Sequence, residues 1–288
     1  MLFRSYVRLE QRPSLSSDSW APYLRSDLRP IELSEKGKTK FVNHFAELKR
    51  EFKIEGYFAI ESANNFPSDC GLASSASSFA ALTLAAHQWM LEHSEKKSYR
   101  PKELAKLSQK GSGSSCRSFF SPWSIWHADG AEAIQIPYDQ LKHQVLLCDE
   151  NSKAVSSSEA HRLVLTSDMF PGRIERAEKR MQELVAALRQ ENWAQSFQIC
   201  WNEFWDMHTL FHTSVPAFMY MNGATLQALD VLHNYWKKNA DGPLVTMDAG
   251  SNIHLLYREN QSQCYEEIKN IFKQRMALWT DEGYIAKL

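Results

Sequence analysis

The sequence predicts an α+β protein. Period-two apolar alternation marks several short strands, at 1–10 around Tyr6, Val7 and Leu9 and at 57–62. Period-3.6 stripes mark longer helices, such as Phe41, Val42, Phe45, Leu48 and Phe52. The two kinds of segment mix without the regular strand–helix–strand alternation of a parallel sheet.

In chain order, the strand at 1–10 leads into a proline- and serine-rich stretch, 11–31, which reads as loop. Ser34 is placed to cap a helix over 35–52. After the strand at 57–62 come helices at 77–93 and at 101–110, the latter opened by Pro101. The apolar run 119–126 reads as helical around Pro122, and 144–148 as a buried strand. Over 171–190 the stripe Ile174, Met181, Leu184, Val185 and Leu188 predicts a helix, followed by helices at 193–211 and 224–236. Strands are expected at 244–247 and 253–257, and a helix at 263–272. The shift from sheet-like to helical pattern puts a domain boundary near 160, giving domains 1–160 and 161–288.

At 288 residues, 43% hydrophobic and 23% charged, the chain has the composition of a globular protein. The net charge of −1, with no basic stripe, argues against a nucleic-acid partner. Five scattered cysteines without CxxC spacing favour a reducing compartment. Arg4, Arg8, Glu10 and Arg12 interrupt any signal-peptide core, and the apolar run 79–91 is too short to span a bilayer, so a cytoplasmic protein without a membrane partner is expected.

Three segments carry chemistry. The first runs from Asn64 and Asn65 through Gly71, Leu72, Ala73, Ser74 and Ser75 into an apolar helix. Small residues at a helix N-terminus offer converging N–H and O–H donors to a phosphate, or merely cap the helix. The second, 111–117, presents the hydroxyls of Ser112 and Ser114 and the guanidinium of Arg117, which can grip carboxylate or phosphate in a fork; a plain surface loop has the same composition. It lacks the third glycine of a dinucleotide fingerprint. The third is Asp248, between two strands and before Gly250, either a general base or an Asx-turn residue. His208 and His212 have the i, i+4 spacing of metal ligands but lack the Glu of an HExxH motif, so no metal-ligating residue is assigned.

These segments resemble the diphosphomevalonate decarboxylase family of the GHMP kinase superfamily. Its N-N-F-P-T-A-A-G-L-A-S-S-A is followed over 64–76, with Ser68, Asp69 and Cys70 for T-A-A. Its G-S-G-S-A-C-R-S is matched over 111–118 with Ser115 the one change, and its D-A-G-P-N over 248–252 with Ser251 for Pro. Val155-Ser156-Ser157 with Thr166-Ser167, and Met207-His208 with Pro216 and Tyr220, resemble its V-S-S…T-S and M-H…P…Y segments. The family's opening A-x-A-N-I-A-x-x-K-Y-W-G-K is not found, so a member beginning inside the usual first domain is expected; Ser78 and Ser121-Pro122 replace family glycines.

The resemblance implies a ribosomal-S5-domain-2-like N-terminal domain and a ferredoxin-like C-terminal domain. It implies ATP-dependent decarboxylation of mevalonate 5-diphosphate to isopentenyl diphosphate in isoprenoid biosynthesis, with Mg2+, in a homodimer. A mevalonate or phosphomevalonate kinase, or an inactive relative, are the alternatives. Carried over residue by residue, Asn65, Gly71, Leu72, Ala73, Ser74 and Ser75 would bind ATP. Ser112, Ser114, Arg117 and Ser157 would bind substrate, with Asp248 and Arg117 catalytic.

Overall fold

The computed structural model describes residues 4–66, 74–94, 98–127, 129–149 and 154–287. They fall into two compact units, divided between residues 134 and 135. This division lies earlier than the boundary at 160 read from the sequence. The strand at 142–147 pairs with strands near residues 255 and 279, so pairing assigns it to the second unit although its pattern resembles the first.

In the first unit, strands β1 (Ser5–Gln11), β2 (Ser19–Pro22) and β3 (Arg29–Pro30) all pair with β4 (Phe58–Asn64). β1 runs antiparallel to the full length of β4, from Ser5 opposite Asn64 to Gln11 opposite Phe58, and β2 runs parallel to it. The stretch expected to be loop therefore contributes two short strands. Asp18 anchors it: its carboxylate accepts the Phe58 N–H at 2.8 Å and pairs with Lys49 at 3.0 Å.

Helix α1 (Glu35–Phe52) starts as the sequence requires, with the Ser34 hydroxyl accepting the Gly37 N–H. α2 (Ser74–His93) is apolar on most of its circumference and lies in the core, and α3 (Pro101–Gly111) packs beside it. Phe45, Phe58, Ile60 and Leu82 have no exposed surface. After a 3-10 turn, Gly113–Phe119, the hairpin β5 (Trp123–His127) and β6 (Gly130–Ile134) replaces the helix expected over 119–126. A short apolar run does not distinguish helix from strand, and pairing of Trp123 with Ile134 decides it.

In the second unit, β7 (Lys142–Leu147) is followed by helices α4 (Ser157–Leu163), α5 (Arg173–Arg189), α6 (Trp193–His212) and α7 (Gly223–Asn239). Then come β8 (Leu244–Met247), β9 (Ile253–Tyr257), α8 (Ser262–Phe272), β10 (Ala277–Thr280) and β11 (Gly283–Ile285). The sheet order is β11-β10-β7-β9-β8, with antiparallel neighbours throughout. Without the terminal hairpin strand β11, this is the 4-1-3-2 order of a ferredoxin-like βαββαβ unit.

Tyr257, wholly buried, donates to Gln144 Oε1 at 2.8 Å, and Gln144 donates to the Tyr265 carbonyl, so the buried amide is satisfied. The stripe expected on α5 is only partly used. Ile174 is 66% exposed, and Arg173, Arg176 and Arg180 instead hold α5 to Glu203 and Asp206 of α6. Among the described residues, no helix is long and apolar enough to cross a membrane.

Candidate active site

In the first unit, the two serine-rich turns come together. Ser74 and Ser75 occupy the first turn of α2, and Ser75 Oγ lies 3.5 Å from Ser112 Oγ. Gly71, Leu72 and Ala73 lie outside the described residues. Asn65 is tied to β1: its side-chain oxygen accepts the Arg4 N–H at 2.7 Å, and its own N–H donates to the Arg4 carbonyl. Ser5 bonds both Asn64 and Ser77, so the end of β4 and the start of α2 are fixed to the same strand.

The second turn is braced from within. Ser108 Oγ donates to Ser115 Oγ at 2.6 Å, and Ser115 donates onward to the Ser112 carbonyl. Cys116, wholly buried, is an interior residue, and burial raises its thiol pKa above the ordinary range, which is unsuited to a nucleophile. Ser112 and Ser114 remain partly accessible and Arg117 is exposed. The Arg117 guanidinium makes no hydrogen bond or ion pair with any described residue and is free to take an anionic ligand.

Residues that the motif reading omitted also gather here. A cavity of about 430 Å3 is lined by Lys36, Lys40 and Lys110 together with His44, Glu47 and Gly111. Three ammonium groups around one concavity favour an anion. The i, i+4 spacing of Lys36 and Lys40 on α1 was the available signal, but only the fold brings Lys110 to them.

His44 is 4% exposed, its Nε2 lies 3.4 Å from Thr83 Oγ1, and burial lowers its pKa to about 4. His208, in the second unit, is wholly buried and burial also lowers its pKa to about 4. Both titrate near 6.5 when unfolded, so between about pH 6.5 and 4 the unfolded chain binds more protons. Stability therefore falls as pH drops through that window, by up to about 3 kcal/mol per histidine. The thermal midpoint is expected to decline from pH 7 to pH 5, above the range where carboxylates protonate. A midpoint constant over that interval would contradict the burial of both rings.

In the second unit, Asp248 follows β8 and opens the turn to β9. The turn is held by its backbone and by neighbours. The Asp248 carbonyl faces His208 Nε2 at 3.2 Å and the Gly250 N–H at 2.8 Å. The Ser251 carbonyl accepts from Thr225 Oγ1, and Asn252 Oδ1 accepts the Asp149 N–H. The Asp248 carboxylate is exposed and bonds no described residue. Such a carboxylate is available to accept a proton. Ser157 is the first residue of α4, next to Ser156, whose hydroxyl caps the helix on Glu159. His208 is a wholly buried core residue, and among the described residues no group of three His, Cys, Asp or Glu side chains could hold a metal ion.

A ferredoxin-like unit following an α+β unit with a serine-rich turn at a helix N-terminus defines the GHMP kinase class. Residues 19–135 match the diphosphomevalonate decarboxylase-like N-terminal domain, and residues 144–283 match the mevalonate 5-diphosphate decarboxylase C-terminal domain. The chain belongs to the diphosphomevalonate decarboxylase family.

Among similar proteins, the diphosphomevalonate decarboxylase of Saccharomyces cerevisiae is 33% identical over 228 residues, 74% of this chain. The match spans 56% of the yeast protein's length. The crystal structure of a mevalonate diphosphate decarboxylase from Legionella pneumophila is 44% identical, with a TM-score of 0.86 over 93% of this chain and 84% of that one. A solved complex of MDDEF with MVAPP, AMPPCP and magnesium is 25% identical, with a TM-score of 0.79 over 94% of this chain and 82% of that one.

Proposed function

We propose that the chain is an ATP-dependent decarboxylase of mevalonate 5-diphosphate. The observation that carries this reading is the 44% identity to the Legionella decarboxylase structure across most of both chains. The complex of MDDEF, a different and 25% identical protein, with MVAPP, AMPPCP and magnesium supports the same substrate and nucleotide.

The first unit would bind ATP through Asn65, Gly71, Leu72, Ala73, Ser74 and Ser75, with Lys36, Lys40 and Lys110 adding positive charge in their cavity. The serine hydroxyls are hard oxygen donors of the kind magnesium accepts when phosphates supply its other ligands. When bound, magnesium neutralises charge between the phosphate groups.

Asp248 removes the proton from the C3 hydroxyl as its oxygen takes the γ-phosphoryl group of ATP. The C3–O bond then breaks, releasing phosphate. The bond from C2 to the carboxylate carbon also breaks, and its electron pair forms the double bond between C2 and C3. The products are isopentenyl diphosphate, carbon dioxide, ADP and phosphate. Arg117, with Ser112 and Ser114, holds the carboxylate in line, and Ser157 takes the diphosphate. We place the enzyme in the cytoplasm, as the cysteine pattern favours, and read it as a homodimer by family resemblance.

The test is release of ADP and carbon dioxide from ATP, magnesium and mevalonate 5-diphosphate. Stoichiometric release of both supports the decarboxylase. ADP without carbon dioxide replaces it with a kinase, and neither product from a folded chain overturns it.

A further inference from the structure

We propose that His208 is a positioning residue for Asp248: as a neutral ring protonated at Nε2, it donates to the Asp248 carbonyl and fixes the turn that presents the carboxylate. The inference rests on the reading of Asp248 as proton acceptor.

The Asp248 side chain has no bond of its own to any described residue, so its direction is set by its backbone. Among the described residues two groups hold the Asp248 carbonyl, and the one from outside the turn is His208 Nε2 at 3.2 Å. A carbonyl oxygen only accepts, so Nε2 must carry the proton. Nδ1 then bears the lone pair, and it is buried with no partner among the described residues. A second proton would place a buried N–H there with no acceptor, and burial opposes the charge as well. One tautomer is thereby selected.

The ring is also held in place. Phe211 meets it edge-on with centroids 5.1 Å apart, Tyr220 meets it edge-on at 6.4 Å, and the two rings pack edge-on against each other at 5.1 Å. Tyr220 donates to the Val155 carbonyl at 2.8 Å. Phe211, Tyr220 and Ala160 form one buried cluster against which Ala249, the residue after Asp248, also packs. The same cluster therefore braces the Asp248 turn and the segment that leads into Ser157. A leucine could fill this volume, but it offers no donor at the Nε2 position and leaves the carbonyl held from within the turn alone, by the Gly250 N–H.

The experiment compares His208→Leu with His208→Gln in the full chain, since a glutamine amide can place an N–H near Nε2. Leucine is expected to lower kcat about 10- to 100-fold, as small misplacements of a catalytic group do, with the KM for ATP unchanged. Glutamine is expected to recover most of the loss. In the wild type, nitrogen-15 NMR of the ring should show Nε2 protonated and Nδ1 unprotonated from pH 6 to 8. Equal loss in both variants in step with lowered thermal midpoints, an unaffected leucine variant, or a proton on Nδ1 would overturn the positioning role while leaving the decarboxylase reading intact. An inactive wild type would overturn that reading, and this one with it.

Discussion

Asp248→Asn is expected to lower ADP and carbon dioxide release by about 10²- to 10⁴-fold, the range for loss of a general base. Asparagine keeps the shape and polarity of the side chain but cannot accept the proton. Because the carboxylate is exposed and bonds no described residue, its change should leave stability within about 0.5 kcal/mol. The turn itself is held by its carbonyls and by Asn252, none of which is altered. Steady-state rates and thermal midpoints measured on the same preparation separate the two effects. Full activity in the variant would remove Asp248 from the mechanism, whereas a large fall in the midpoint would assign it a structural part instead.

Gly111→Ala should be the most damaging single methyl group in the first unit. A Cβ at this position would lie 2.7 Å from Phe79 Cε1 and 2.9 Å from His44 Cδ2. Phe79 is 5% exposed and meets Phe41 and His44 edge-on, each at 5.2 Å, so the ring cannot move aside. The end of α3 must then back away from α2. Overpacking of this kind costs about 1–3 kcal/mol, and a chain of this size loses roughly 2–4 °C of midpoint for each. The same displacement pulls Ser112 from Ser75, so ADP release should fall more than stability alone requires. Gly37→Ala is the control: its Cβ would meet nothing closer than Ser34 Oγ at 3.4 Å, and alanine favours the helix by about 0.5–1 kcal/mol. A Gly111 variant as stable and active as this control would contradict the tight approach of the two helices.

Legibility in the sequence followed the strength of the local signal. The cap at Ser34 and the phenylalanine stripe behind it set α1 within the chain itself, and β8 and β9 were bounded by turn residues. Segments whose conformation is decided by distant partners were not readable. β2 lies in a proline-rich stretch and exists because β4 offers it an edge. β10 is four residues long and depends on β7. α4 is a seven-residue helix too short for a periodic signal. The serine turns, Arg117 and Asp248 were visible because small residues and charges break an otherwise apolar pattern. The lysines around the cavity were not, because Lys110 joins Lys36 and Lys40 only after α1 and α3 have packed. His208 was visible as a residue, but its contact with the Asp248 carbonyl required the fold.

The strand order of the second unit also bears on how this half of the chain is made. β8 and β9 form a local hairpin, Met247 opposite Ile253, and can close early. β7 sits between β9 and β10, so Val145 must find His254 and Trp279 across more than a hundred intervening residues. Such non-local pairing slows folding, because a long loop must close before any contact rewards it. During synthesis β7 emerges from the ribosome well before either neighbour exists, with Val145 and Leu146 unburied until the strand around residue 279 has followed. That interval is when a chaperone, or aggregation, would act on this chain.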